Sequence, residues 1–163
     1  MRPAVRAWLP RQLVRLLGEE RGSVVIEFVI MLPLVLGILI LIAEFGRAFW
    51  YHHIVTKGVR DGVRYLSRAP AAQFDAYAER ARYLAMTGQA DSAAAPVYDW
   101  WTNIDTVTAS EPEELGGPPL FRTTFERVAL QAAVPVSFPL LALFGQEPTV
   151  TIVAADQARY IGD

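Results

Sequence analysis

The sequence predicts an α+β chain. It has a long N-terminal membrane-spanning helix extended outward, a second short helix, and a small C-terminal antiparallel sheet packed on the long helix. Three observations predict this. Phe28 to Ala43 is an uncharged apolar run. From Glu44 to Arg68 apolar residues recur at three-to-four spacing with no intervening proline. Beyond Val97 the pattern turns to β-branched and alternating runs separated by Pro/Gly-rich stretches.

Ser23 to Ala43 is the span. These 21 residues cover about 31 Å as a helix, the thickness of a bilayer's hydrocarbon core. A helix satisfies its own backbone in lipid. Pro33 removes one backbone hydrogen bond and crowds the carbonyl of Val29, so a kink or a loosened turn is expected there.

Glu27 is the one charge in this segment. A carboxylate at the centre of a membrane helix costs roughly 2.5–3.5 kcal/mol on insertion scales, and less near the ends. A cut after Gly22 would give Ser23 a new α-ammonium at the helix start, four residues from Glu27 and on the same face. Opposite charges about 4 Å apart attract by about 4 kcal/mol at an effective dielectric near 20, enough to offset the insertion cost. The ammonium could belong to the same chain or to a neighbouring subunit.

Residues 1–22 form a basic leader: Arg2, Arg6, Arg11, Arg15 and Arg21 against Glu19 and Glu20. A short amphipathic helix is expected there, begun or broken at Pro10. Arg47, Lys57 and Arg60 follow the span, so five cations against three orient the N-terminus inside. A cleavable secretory signal fits poorly, because the apolar run is too long and no Ala-x-Ala follows it.

Residues 44–68 continue the helix outward, making about 69 Å of helix from Ser23 to Arg68. Ala48, Tyr51, Val55, Val59 and Leu66 form an apolar stripe, and Arg60, Arg64 and Arg68 a basic row that reads as a solvated face. Gly58 and Gly62 allow close approach by another element, either a partner helix or the chain's own folded domain.

Residues 69–163 form a small α+β domain. Ala69-Pro70 ends the long helix. Residues 71–87 read as a second helix with Phe74, Tyr77, Ala78, Ala81 and Leu84 on one face and Gly88 as its stop. Residues 97–101 and 106–110 are short β-prone runs, and Glu111 to Pro119 a turn-rich loop. Residues 123–136 and 149–160 are long strands joined by an apolar corner at 139–145. Tyr98, Trp100 and Trp101 read as core or edge aromatics.

Composition narrows the function. The formal net charge is −2, with 15 basic and 17 acidic residues, which makes no global case for nucleic-acid binding. Without the leader the counts fall to 10 and 15, a net −5. Hydrophobic content is 53% and mean hydropathy +0.25, above the soluble average, which fits a membrane-anchored chain. There are no cysteines, which excludes disulfides and thiolate metal sites. His52 and His53 are adjacent, about 100° apart on a helix, and cannot readily share a metal. No phosphate-cradling glycine loop, zinc-protease motif or nucleophile elbow is present. The chain reads as non-enzymatic, without metal or cofactor, and as the substrate of a peptidase rather than a peptidase.

The N-terminal residues resemble a known pattern. A basic leader, Gly22, a small residue, three apolar residues, Glu27-Phe28 and a long apolar helix are similar to a type IV prepilin N-terminus. Adding Leu32-Pro33-Leu34, then Ala43-Glu44-Phe45-Gly46-Arg47-Ala48, then Gly58 to Tyr65, the chain resembles the TadE-like pseudopilins of tight-adherence (Flp-type) pilus systems over about residues 20 to 66. The resemblance implies a processing site at Gly22 and Ser23, cut by a prepilin peptidase, and an assembly role for Glu27 and Phe28. It also implies other pilin or pseudopilin subunits and the pilus machinery as partners. The expected location is the bacterial cytoplasmic membrane, single-pass, N-in and C-out. The alternative is an unprocessed single-pass anchor bearing a scaffold or binding module of an extracytoplasmic secretion complex.

Overall fold

A computed structural model describes residues 20–115, 125–145 and 149–162. The leader helix expected within residues 1–19 lies outside the described residues. The chain divides into two units, Met1–Ile42 and Ala43–Asp163.

Helix α1 runs from Glu20 to Leu66, 47 residues, and continues through Pro33. In the first unit its apolar side chains face outward: Val24, Phe28, Ile30 and Leu34 are each more than 60% exposed. The most apolar 18-residue window has mean hydropathy 3.0 and none of it is buried in the chain. A soluble protein's core helix would bury such a surface. By length and composition this helix is able to cross a membrane.

The second unit is built on the later part of α1. Val55, Val59, Val63 and Leu66 are almost wholly buried. Their spacing places them on one face, and each contributes about 1.5–3 kcal/mol of apolar burial. The helix ends at Leu66, two residues before the Arg68 end expected from Ala69-Pro70. Ser67 folds back, its hydroxyl donating to the Arg64 carbonyl at 2.9 Å, and Ala69 N–H closes a tighter turn onto Leu66 at 3.0 Å.

A 3-10 turn at Ala71–Gln73 leads into α2, Phe74–Thr87. Gly88 stops it in the left-handed conformation, φ 73°, and donates to the Leu84 carbonyl. The buried positions of α2 are Ala81, Ala85, Met86 and Thr87, so its packed face turns further toward Ala85 than the periodicity suggests.

Among the described residues, four antiparallel strands form one sheet: β1 (Val107–Ala109), β2 (Glu113–Leu115), β3 (Phe125–Ser137) and β4 (Thr149–Arg159). β4 lies along β3 from Arg127↔Arg159 to Ser137↔Thr149. β1 and β2 share the opposite edge, Ala109 facing Leu130 and Glu113 facing Arg127. Pro112 cannot donate to a ladder, and between the two short strands Ser110 takes over. Its N–H donates to the Ala129 carbonyl and its hydroxyl accepts from Ala129 N–H, both at 2.9 Å. Pro135 points its missing N–H to the same edge, beyond the last β1 pair at Val107↔Ala132, where no described strand needs it.

Alternation holds along β3. Val128, Leu130, Ala132, Val134 and Val136 are buried, joined by Ile152 and Ala154 of β4. They form one core with the buried faces of α1 and α2, as in an α+β architecture.

Two local expectations are corrected. Residues 97–101 are turns, not a strand: Trp101 N–H bonds the Tyr98 carbonyl at 3.2 Å. A strand would send Trp100 and Trp101 to opposite faces, whereas here their rings stack at 6.1 Å and 21°. The loop from Glu111 contains β2, because β3 offers it an open ladder edge and Arg127 pairs with Glu113 at 2.8 Å. Residues 116–124, including the remainder of that loop, lie outside the described residues, as do 146–148.

Candidate functional site: the N-terminal segment and the Glu44–Arg47 corner

Gly22 and Ser23 lie on the backbone of α1, three and four positions into the helix that starts at Glu20. Glu27 is exposed, and Phe28 is 64% exposed. Ser23 and Glu27 are four positions apart, so one helical face carries both. A charge here meets whatever surrounds the helix, since no described part of the chain covers this segment.

Gly58 and Gly62 are covered by the chain itself. A Cβ on Gly58 would collide with the backbone carbonyl of Ala85. A Cβ on Gly62 would lie 2.5 Å from the Leu130 side chain and 2.8 Å from the Ala81 carbonyl oxygen. The two glycines therefore let the backbone of α2 and the Leu130 side chain of β3 approach α1 closely within the domain. The row Arg60, Arg64 and Arg68 is exposed, with Arg60 lying 3.5 Å from the half-exposed Asp156.

Glu44 has a role that sequence reasoning did not assign. It is 3% exposed, although it directly follows the apolar run. One carboxylate oxygen accepts from the Arg47 guanidinium, an i,i+3 pair. The other accepts the Leu140 N–H at 2.7 Å, at the start of the 3-10 turn Pro139–Phe144. That turn's first residue is a proline, so Leu140 supplies its first free N–H. Arg47 also donates to the Ser137 carbonyl at 3.4 Å and lies 5.9 and 5.6 Å from the Tyr51 and Phe138 ring centroids. The sequence signal was an acid at the end of an apolar run with an arginine three residues on.

Tyr98, Trp100 and Trp101 cluster with Trp50 and Tyr51. Tyr51 and Trp100 ring centroids are 4.3 Å apart, and Trp50 meets Tyr98 edge-on at 6.0 Å. Trp101 is 1% exposed and its indole N–H donates to Thr106 at 3.0 Å. These rings pack the domain onto α1. Among the described residues, no group of three or more His, Asp or Glu is placed to hold a metal ion.

Fold and site together define a class: a protein with, among the described residues, one exposed apolar N-terminal helix, fit by length and composition for single-pass anchoring, whose later part is built into an α+β domain. Residues 22–64 match the family described as TadE-like protein. The match begins at Gly22 and takes in Glu27, Pro33, Glu44, Arg47, Gly58 and Gly62, so the resemblance is shown over that stretch. Neither a curated protein nor a solved structure matches the chain. The TadE-like match associates the chain with tight-adherence pili at the level of a subunit carrying an N-terminal apolar helix.

Proposed function

We propose that the chain is a non-enzymatic, pseudopilin-like subunit for tight-adherence pilus biogenesis. It inserts through residues 23–43 with the leader inside and the domain outside. A prepilin peptidase then cuts between Gly22 and Ser23. The new Ser23 ammonium pairs with Glu27, in its own chain or a neighbour's, and Glu27 with Phe28 guides assembly beside other pilin or pseudopilin subunits. One observation carries the reading. The TadE-like match starts at the glycine before the proposed cut and runs through the exposed apolar helix.

N-terminal sequencing of the protein extracted from membranes tests it. Ser23 is the expected first residue, and Gly22→Leu is expected to leave the leader attached. A mature protein that starts at Met1 removes the proposal's main support. The second reading, an unprocessed anchor for a scaffold or binding module, draws on the extent of the folded unit, Ala43–Asp163. Glu27→Ala separates the two. An anchor tolerates it, whereas a pseudopilin is expected to be cut normally and then fail to assemble.

A further inference from the structure

The folded unit has a corner with little exposed charge. On α1 between Glu27 and Lys57 the only charged residues are Glu44, which is buried, and Arg47, whose side chain is 28% exposed. After Ala43 that stretch exposes Phe45, 62%, Phe49, 74%, and Trp50, 53%, together with Gly46, His52 and His53. Phe45 and Phe49 line a shallow apolar groove with Ala48, His52, Thr151 and Val153. Val153 is 52% exposed. The turn Pro139–Phe144, bound to Glu44 through Leu140, reads Pro-Leu-Leu-Ala-Leu-Phe, and Leu140 is 40% exposed. Charge on β4 is confined to its far end, at Asp156 and Arg159.

We propose that this corner lies in the bilayer interface, so that the folded domain itself, and not only the span, contacts lipid. The proposal rests on the single-span reading of residues 23–43. In the helix, Phe49 follows Ala43 by about 9 Å along the axis, within reach of the polar layer some 5–7 Å deep that borders the hydrocarbon. Aromatic side chains are favoured at that level. A charged residue at the end of the span would ordinarily mark the exit to water. Here Glu44 is turned inward onto Leu140 and Arg47, so the lipid-compatible surface continues past it. Lipid is the occupant favoured over a second copy, since between Glu27 and Lys57 the charges on α1 are only the buried Glu44 and Arg47, which is paired with it and 28% exposed.

The absence of cysteines makes the test direct. Full-length chain carrying Leu34→Cys, Phe49→Cys, Val153→Cys or Glu79→Cys is labelled with an environment-sensitive fluorophore. Each is reconstituted in phosphatidylethanolamine–phosphatidylglycerol vesicles. Brominated lipid is expected to quench labels 34, 49 and 153, and aqueous iodide to quench label 79 alone. If iodide reaches 49 and 153 as readily as 79 while 34 is quenched by lipid, the inference is overturned and the span stands. Labels at 49 and 153 shielded from both quenchers would mean that a second protein surface covers the patch, which overturns it too. Loss of lipid quenching at 34 sinks the span reading and this inference together.

Discussion

Glu44 and Arg47 show how one pair determines a local structure. The buried carboxylate satisfies a partly covered guanidinium and the backbone N–H of Leu140. Truncating one member strands the other, at about 2–4 kcal/mol, below the full cost for a buried pair because Arg47 keeps some solvent access. Glu44→Leu is therefore expected to lower the denaturant midpoint more than Glu44→Gln, which retains an acceptor for Leu140. The double variant Glu44→Leu with Arg47→Leu should recover part of the loss, since an apolar pair leaves no orphan charge. Equal midpoints for Glu44→Leu and Glu44→Gln would remove the pair from the account.

The glycines give opposing predictions at the same scale. Alanine gains about 1 kcal/mol over glycine in a helix interior. At Gly46, where a Cβ meets nothing, Gly46→Ala is expected to stabilise the domain by up to that amount. At Gly58 the obstacle is a backbone carbonyl of α2, which cannot swing away as a side chain can. Overpacking costs about 1–3 kcal/mol and outweighs the propensity gain. Gly58→Ala should thus lower the thermal midpoint in detergent while Gly46→Ala raises it.

At the scale of elements, the end of β4 is tied to the end of α1. Tyr160 is 9% exposed and its hydroxyl donates to the Ala69 carbonyl at 2.7 Å. Ile161 N–H donates to the Ser67 carbonyl at 2.9 Å. A Cβ on Gly162 would strike that same Ala69 carbonyl oxygen, so the chain passes the helix end at backbone distance. Tyr160→Phe keeps the ring against Phe74 but leaves a buried carbonyl without its donor, for about 1–3 kcal/mol. Hydrogen exchange offers the sharper readout: protection should fall first at Ile161 and Ala69. Leu130→Ala in β3 acts instead on the common core, at about 2–5 kcal/mol, and should lower protection across the sheet and α2 together.

For the whole molecule, the packed core draws on residues from Val55 to Tyr160. None of it comes from the apolar stretch before Ala43. A fragment beginning at Ala43 is accordingly expected to fold, with the far-ultraviolet circular dichroism of a mixed α+β domain and a cooperative melt. A non-cooperative melt would show that the span contributes to the fold. In intact cells stripped of the outer envelope, added protease should remove the domain and spare the leader, as an N-in orientation requires.

The sequence by itself determined the parts that depend on local chemistry and periodicity. The apolar run from Phe28 to Ala43, the stripe Val55–Val59–Leu66, the stop at Gly88 and the alternation of β3 each follow from a spacing that admits one kind of element. The segment from Gly22 to Tyr65 was legible as TadE-like for the same reason: its residues lie on one continuous helix, where spacing in sequence is spacing in space. The tertiary structure alone decided what depends on distant partners. It turned Glu44 onto Leu140, 96 residues away, recruited Glu113–Leu115 to an open edge of β3, bent Tyr98–Trp101 into a turn so that Tyr98 and Trp100 meet α1's aromatics, and filled the space beside Gly58 and Gly62 with α2. A carboxylate, a three-residue strand or a glycine gains its energy from the group that arrives opposite it, and folding brings that group from a distance no local pattern records.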